Sequence, residues 1–128
     1  MTKKEIGALG EDYASKILSA GGYVPICRNY VTRFGEIDLI VRHGNCIVFI
    51  EVKTRSETAI ATPREWVDAS KQKKIIKSAM LYLAEHPSKL TPRFDVFEVI
   101  CIPEPWFRII KNRHIVSAFE CEDIYGLF

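Results

Sequence analysis

The sequence predicts an α/β domain in which a central mixed β-sheet is flanked by helices. Three observations carry this. Apolar residues recur at helical spacing over Thr2–Ala20. Two runs rich in β-branched residues follow, with turn chemistry between them. A second helical stretch then precedes a largely apolar run at Phe94–Ile102. The order helix, strands, helix, strands is that of layered α/β domains. With 128 residues, 48% hydrophobic and 27% charged, the chain can bury a core as one domain spanning 1–128, and its composition is that of a globular protein.

In the first helix Ile6, Leu9, Tyr13 and Ile17 recur at steps of three and four, with Gly10, Ala14 and Leu18 beside them. Thr2 and Glu5 form a capping box, and Gly21-Gly22 is a stop. At about 100° per residue Glu11 falls at the edge of this stripe and Asp12 faces away. On its residues alone, Glu11 reads as an ordinary flanking charge. Tyr23–Tyr30 reads as a short extended segment. Ile37–Val41 and Ile47–Val52 read as the strands of a hairpin turned at His43-Gly44-Asn45. Thr54–Ala61 reads as loop. A second helix is expected from Thr62-Pro63-Arg64-Glu65, a cap followed by an N1 proline, to Glu85, with Ile76, Ala79, Met80 and Leu83 as its stripe. Phe94–Ile102 reads as a buried strand. Trp106–Ile110 and His114–Phe119 read as a pair around Lys111-Asn112-Arg113. Trp66 and Trp106 are expected in the core.

No run approaches the roughly 18 apolar residues of a membrane span. The basic N-terminus is followed by no apolar signal core, so a cytoplasmic protein is expected. Cys27, Cys46, Cys101 and Cys121 form no C-x-x-C pair. The first three read as small buried hydrophobes, and no disulfide framework is expected. A net charge of +2 demands no polyanionic partner. The basic residues are nevertheless clustered, at Arg28 and Arg33, at Lys71, Lys73, Lys74 and Lys77, and at Arg108, Lys111, Arg113 and His114.

The hairpin carries the chemistry. A two-residue turn at Gly44-Asn45 sets Asp38 opposite Glu51 and Glu36 opposite Lys53. Opposed residues share a face, which gathers all four with Ile40 and Phe49. Ile37, Leu39, Val41, Val48, Ile50 and Val52 occupy the other face. A three-residue turn would scatter the cluster. Two readings stay open on these residues. Glu36 and Lys53 suit a half-exposed ion pair worth roughly 0–1 kcal/mol. Asp38 opposite Glu51 is destabilising unless a cation joins the pair, as Mg²⁺ does with one or two carboxylates.

The segments Gly35-Glu-Ile-Asp-Leu-Ile40 and Phe49-Ile-Glu-Val-Lys-Thr-Arg55 resemble the active-site region of the restriction-endonuclease-like, or PD-(D/E)XK, nucleases. More narrowly, the chain resembles the YraN family of small bacterial predicted endonucleases. Gly7-Ala-Leu-Gly-Glu-Asp-Tyr-Ala14, Arg28-Asn29-Tyr30, Arg93-Phe94-Asp95 and His114–Phe119 carry the resemblance along nearly the whole length. Ile37 stands where the superfamily motif has proline. The resemblance implies a restriction-endonuclease-like three-layer fold. It further implies Asp38, Glu51 and the Val52 carbonyl as ligands of Mg²⁺ or Mn²⁺, Lys53 as the catalytic lysine, and Glu11 as a supporting helix carboxylate. Glu36 is expected as a catalytic-site partner of Lys53.

The expected function is metal-dependent hydrolysis of DNA phosphodiester bonds, with branched or repair intermediates as substrates by fold-level analogy. The alternative is a catalytically silent nucleic-acid-binding or assembly module. DNA is the expected partner, RNA stays open, no membrane is involved, and a homodimer is a further expectation. Arg28, Arg33, Arg55, Lys71 and Lys74 are the candidate phosphate contacts. By helical position Lys71, Lys74 and Lys77 also suit a plain solvated face, and Lys71 is singled out by the resemblance.

Overall fold

The structure, a computed structural model, describes residues 1–59 and 67–121. Helix α1 (Lys3–Ala20) leads into an antiparallel meander of β1 (Val24–Thr32), β2 (Gly35–His43) and β3 (Cys46–Ser56). Helix α2 (Ala69–Glu85) precedes β4 (Thr91–Ile102), which lies parallel to β3, and β5 (Arg108–Phe119) returns antiparallel along β4. The five strands make one sheet in the order β1-β2-β3-β4-β5. One core lies between the sheet and α2, the other between the sheet and α1. The fold is thus the expected three-layer α/β arrangement around a mixed sheet. Among the described residues no helix is long and apolar enough to cross a membrane.

The capping box of α1 forms as read: Glu5 N–H donates to Thr2 Oγ1 at 3.1 Å and Thr2 N–H to Glu5 Oε1 at 2.9 Å. The helix is seated differently from the expected stripe. Gly10, Ala14 and Leu18 are buried, whereas Leu9 and Ile17 are 37% and 40% exposed. Small residues let the helix backbone approach the sheet, so the small side faces inward. A Cβ on Gly10 would lie 1.8 Å from Thr54 Oγ1 and 3.0 Å from Thr54 Cβ.

Several sequence expectations are corrected. Helix α2 begins at Ala69, where the Asp68 side chain accepts the Lys71 N–H at 2.8 Å. Val67 and Asp68 are not helical, so no single helix runs from Thr62. The cap expected at Thr62–Glu65, like Trp66, lies outside the described residues. Ile75, Ile76, Ala79 and Tyr82 face the core, while Met80 is 51% exposed. Buried Ser78 meets Thr32 Oγ1 at 2.8 Å, which satisfies its hydroxyl. Strand β3 continues to Ser56, paired with Cys101, before a 3-10 turn at Glu57–Ala59. The expected loop at Thr54–Ala61 therefore starts three residues late, because β4 supplies ladder partners that the local sequence does not reveal. Lys111, Asn112 and Arg113 form no turn but pair with Ile100, Val99 and Glu98 in one long β5. Trp106 is 66% exposed beneath the Arg108 guanidinium, not in the core. Cys101 is buried and Cys27 and Cys46 are partly so, and no disulfide forms among the four cysteines.

The close approach of α1 to β3 is testable. In a helix interior Gly→Ala normally stabilises by about 1 kcal/mol. Here Gly10→Ala is expected to destabilise by about 1–3 kcal/mol through overpacking, measured by urea denaturation. Gly10→Ala/Thr54→Ala should recover part of the loss.

Candidate active site

The hairpin has the register expected of a Gly44-Asn45 turn: His43 pairs with Cys46, and the ladder runs to Leu39 opposite Ile50. Gly44 takes φ 59°, as the first central residue of a primed hairpin turn requires. At Asp38 the two strands part. Asp38 Oδ2 accepts the backbone N–H of Val52 at 2.8 Å. Backbone N–H groups of a strand point along the sheet plane, so this carboxylate lies in the gap between β2 and β3 and not on one face. Alternation along β2 breaks at the same place. Leu39 and Val41 join the α1-side core as expected, but Ile37 joins the α2-side core with Ile40 and Phe49. The expected flat four-residue face is therefore corrected to a fork.

Glu51 projects into this fork and is 5% exposed. Its Oε1 lies 3.8 Å from Lys53 Nζ and 3.5 Å from Lys71 Nζ. Its Oε2 is buried without a hydrogen-bond partner. Burial pushes both carboxyls above their ordinary range. For Asp38, burial and the neighbouring Glu51 charge raise it to about 8, against the lowering effect of the Val52 N–H. For Glu51, burial outweighs the lowering effect of Lys71 and Lys53. A carboxylate pair held near one another in a low dielectric, with one oxygen unsatisfied, is a donor set suited to a divalent cation. A strand's C=O points to the same side as its N–H, so the Val52 carbonyl also faces the fork. Among the described residues no three His, Cys, Asp or Glu side chains form a group that could hold a metal ion.

Glu36 departs from expectation. Its carboxylate accepts Asn29 Nδ2 at 2.8 Å, while Lys53 meets Glu51. The same Asn29 nitrogen donates to Glu11 Oε1 at 2.9 Å. Asn29 thus ties α1, β1 and β2 together, from a left-handed backbone position with φ 54°. In the sequence Asn29 stands out only as part of Arg28-Asn29-Tyr30, with no role at the site. An asparagine within a strand segment, where it is a poor former but tolerant of positive φ, was the available signal. Glu11 has 18% of its side chain exposed, against 52% for Asp12, and its charge bears on Asp38.

A cleft of about 550 Å³ opens here, lined in part by Glu11, Asp38, Glu51, Val52, Lys53 and Arg55. Four of the five expected catalytic residues line it; Glu36 does not. Of the expected phosphate contacts, Arg55 lines the cleft and Lys71 reaches Glu51. Arg28 turns instead to α1: its Nη1 is 2.7 Å from Asp12, its Nε 3.6 Å from Glu11, and it donates to the Ala8 carbonyl at 3.4 Å. Arg33 lies over the Phe34 ring at 4.8 Å. Lys74 is exposed on α2, with its Cβ close to Gly35.

Residues 10–99, which include all of these cleft residues except Lys3, Ile6, Gly7, Cys101 and Pro103, match the uncharacterised protein family UPF0102. The chain belongs to the UPF0102 family. A UPF0102 protein of Caldanaerobacter subterraneus subsp. tengcongensis is 43% identical over 120 residues, covering 93% of this chain and 98% of the relative. A UPF0102 protein of Symbiobacterium thermophilum is 47% identical over 117 residues, covering 91% and 97%. One from Dictyoglomus turgidum is 41% identical over 120 residues, covering 93% and 100%. UPF0102 similarity thus extends over α1, the fork and α2 together.

The raised Asp38 carboxyl makes stability depend on pH in a defined direction. The folded chain keeps this proton up to about 8, whereas the unfolded chain releases it near the ordinary value of 3.8. Between those values the folded state binds more protons, so this contribution to stability is present at low pH and lost as pH rises through the window. With chelator present, the stability difference between pH 5 and pH 8 should shift in favour of pH 8 in Asp38→Asn relative to wild type. Urea midpoints at the two pH values measure it; equal pH dependence in both proteins would remove Asp38 as the source.

Proposed function

We propose that this UPF0102 protein is a metal-dependent nuclease that hydrolyses phosphodiester bonds of DNA, and that it is a member of the PD-(D/E)XK superfamily and its YraN family. The observation that carries this reading is the fork itself: half-buried Asp38 and buried Glu51 converge beside Lys53, and Glu51 Oε2 has no partner. Structural carboxylates in a core are satisfied, and this one is not. Perturbed, buried carboxyls in a cleft are the usual mark of a reactive site. Mg²⁺ or Mn²⁺, when bound by Asp38, Glu51 and the Val52 carbonyl, supplies Lewis-acid stabilisation of the charge that grows on the phosphoryl oxygens.

The chain's own groups do the rest. Asp38 is aimed by the Val52 N–H. Lys53 donates a proton of its ammonium in a hydrogen bond to the attacking water or to a non-bridging phosphate oxygen, and so orients the first or screens the second. The water oxygen bonds to phosphorus and gives up a proton to solvent as the bond to the leaving sugar oxygen breaks, and that oxygen takes up a proton from solvent, so that one water is consumed overall. Lys71 neutralises Glu51 and presents a positive charge at the mouth of the site. Glu11, held by Asn29, adds negative charge behind Asp38. A cytoplasmic setting goes with this reading, since the cysteines form no disulfide.

The test is cleavage of linear, nicked and branched DNA during titration with Mg²⁺ or Mn²⁺. Lys53→Ala and Asp38→Asn are each expected to lower the rate by about 10²–10³-fold, the size of a lost transition-state charge contact. Mn²⁺ should raise the melting temperature of wild type but not of Asp38→Asn. Equal cleavage by wild type and variants would overturn the assignment, and binding of DNA with no cleavage by wild type would establish the silent binding module instead.

A further inference from the structure

The β3–β4–β5 end of the sheet adds to Lys53 and Arg55 two basic side chains, Lys111 and Arg113, that the active site does not account for. Strand register sets them out. Lys53 pairs with Glu98, and Glu98 with Arg113. Two residues along, Arg55 pairs with Ile100, and Ile100 with Lys111. Cross-strand partners share a face, so Lys53, Arg55, Lys111 and Arg113 form two neighbouring rows on one side of the sheet.

The interleaved residues fix which side. Thr54, between Lys53 and Arg55, packs on Gly10 of α1. Asn112, between Lys111 and Arg113, donates to the Tyr13 hydroxyl of α1 at 2.7 Å. Successive side chains alternate across a strand, so the four cations point away from α1. They border the carboxylate of Glu98, which is 6% exposed and on which the charges of Arg113, Lys111 and Arg55 all bear, while Lys53 also meets Glu51 at 3.8 Å. Lys111 and Arg113 are themselves exposed.

From strand spacing and rise, the block measures on the order of 10 Å by 7 Å. That is roughly the axial rise of three nucleotides of one duplex strand, at about 3.4 Å each. It is continuous with the fork, because Lys53 belongs to both and Glu51 precedes Lys53 in the same file of β3. We infer that this block is a nucleic-acid backbone track, in which Lys111 and Arg113 take phosphates of the strand that enters the cleft. The inference rests on the nuclease reading and names the surface that orients its substrate. Cations on a sheet face meet phosphates and not base edges, so the contact is independent of sequence.

The experiment is fluorescence anisotropy of a labelled DNA duplex with the full chain over a series of salt concentrations. Lys111→Ala/Arg113→Ala should weaken binding and lower the magnitude of the log–log salt slope by about 1.8, or about 0.9 for each phosphate contact. Glu98→Gln, which removes the carboxylate that Arg113, Lys111 and Arg55 face, should tighten binding, a gain that misfolding does not produce. An unchanged slope in the double variant, or unchanged affinity in Glu98→Gln, overturns the track. Failure of the two readings is distinguishable. If wild type binds and cleaves DNA while the double variant keeps its slope, the track alone falls. If wild type shows no salt-dependent binding, both fall.

Discussion

The contact on which the rest of the site depends is the hydrogen bond from the Val52 N–H to Asp38. In an uninterrupted hairpin that N–H would face β2 as a ladder donor. Here a side-chain carboxylate takes it, the strands diverge, and Ile37 is turned to the α2-side core. A gap inside a sheet is a place where carboxylates can be buried and still reach a ligand. It also bears on how a like-charged pair survives in this fold: burial and the Glu51 charge raise the Asp38 carboxyl, so ionising it costs stability as pH rises toward about 8, while Lys71 and Lys53 offset the Glu51 charge.

Both helices are anchored so as to deliver groups to that gap. Gly10 allows α1 to rest directly on Thr54, which sets Glu11 beside the fork. Asp68 caps α2 through the Lys71 N–H, and the Lys71 ammonium extends from this first turn to Glu51. Asn29 links Glu11 to Glu36, so α1 and the start of β2 cannot drift apart without losing two charge-assisted hydrogen bonds. Five elements thus meet around a gap that no single one of them could form.

Asp95 shows how this fold treats a buried carboxylate when structure alone is at stake. It is fully buried, chelated by Arg93 at 2.8 and 3.0 Å, within 2.7 Å of His114 Nε2, and it accepts the Ser117 N–H at 3.0 Å. These partners overcome its burial and hold its carboxyl below the ordinary range. It sits where the β4–β5 register shifts, and it mends that irregularity. Asp38 and Glu51 lie at an irregularity too, yet are left short of partners. The contrast within one sheet separates a structural carboxylate from a pair that awaits a ligand.

Local chemistry in the sequence determined a good deal: the capping box at Thr2 and Glu5, the Gly21-Gly22 stop, the hairpin with its turn, and hence the register that brings Asp38 toward Glu51. Each of these is set by residues a few positions apart. The motif resemblance added the ligand and lysine roles proposed for them. What tertiary structure alone decided involves partners far apart in the chain. The seat of α1 depends on Thr54 meeting Gly10, the length of β3 and β5 on β4 lying between them, and the placing of Glu36 on Asn29. The parting of β2 and β3 at Asp38 is of the same kind. Alternation predicts a flat face, and only the competition between a side-chain acceptor and the ladder for one backbone N–H turns that face into a fork.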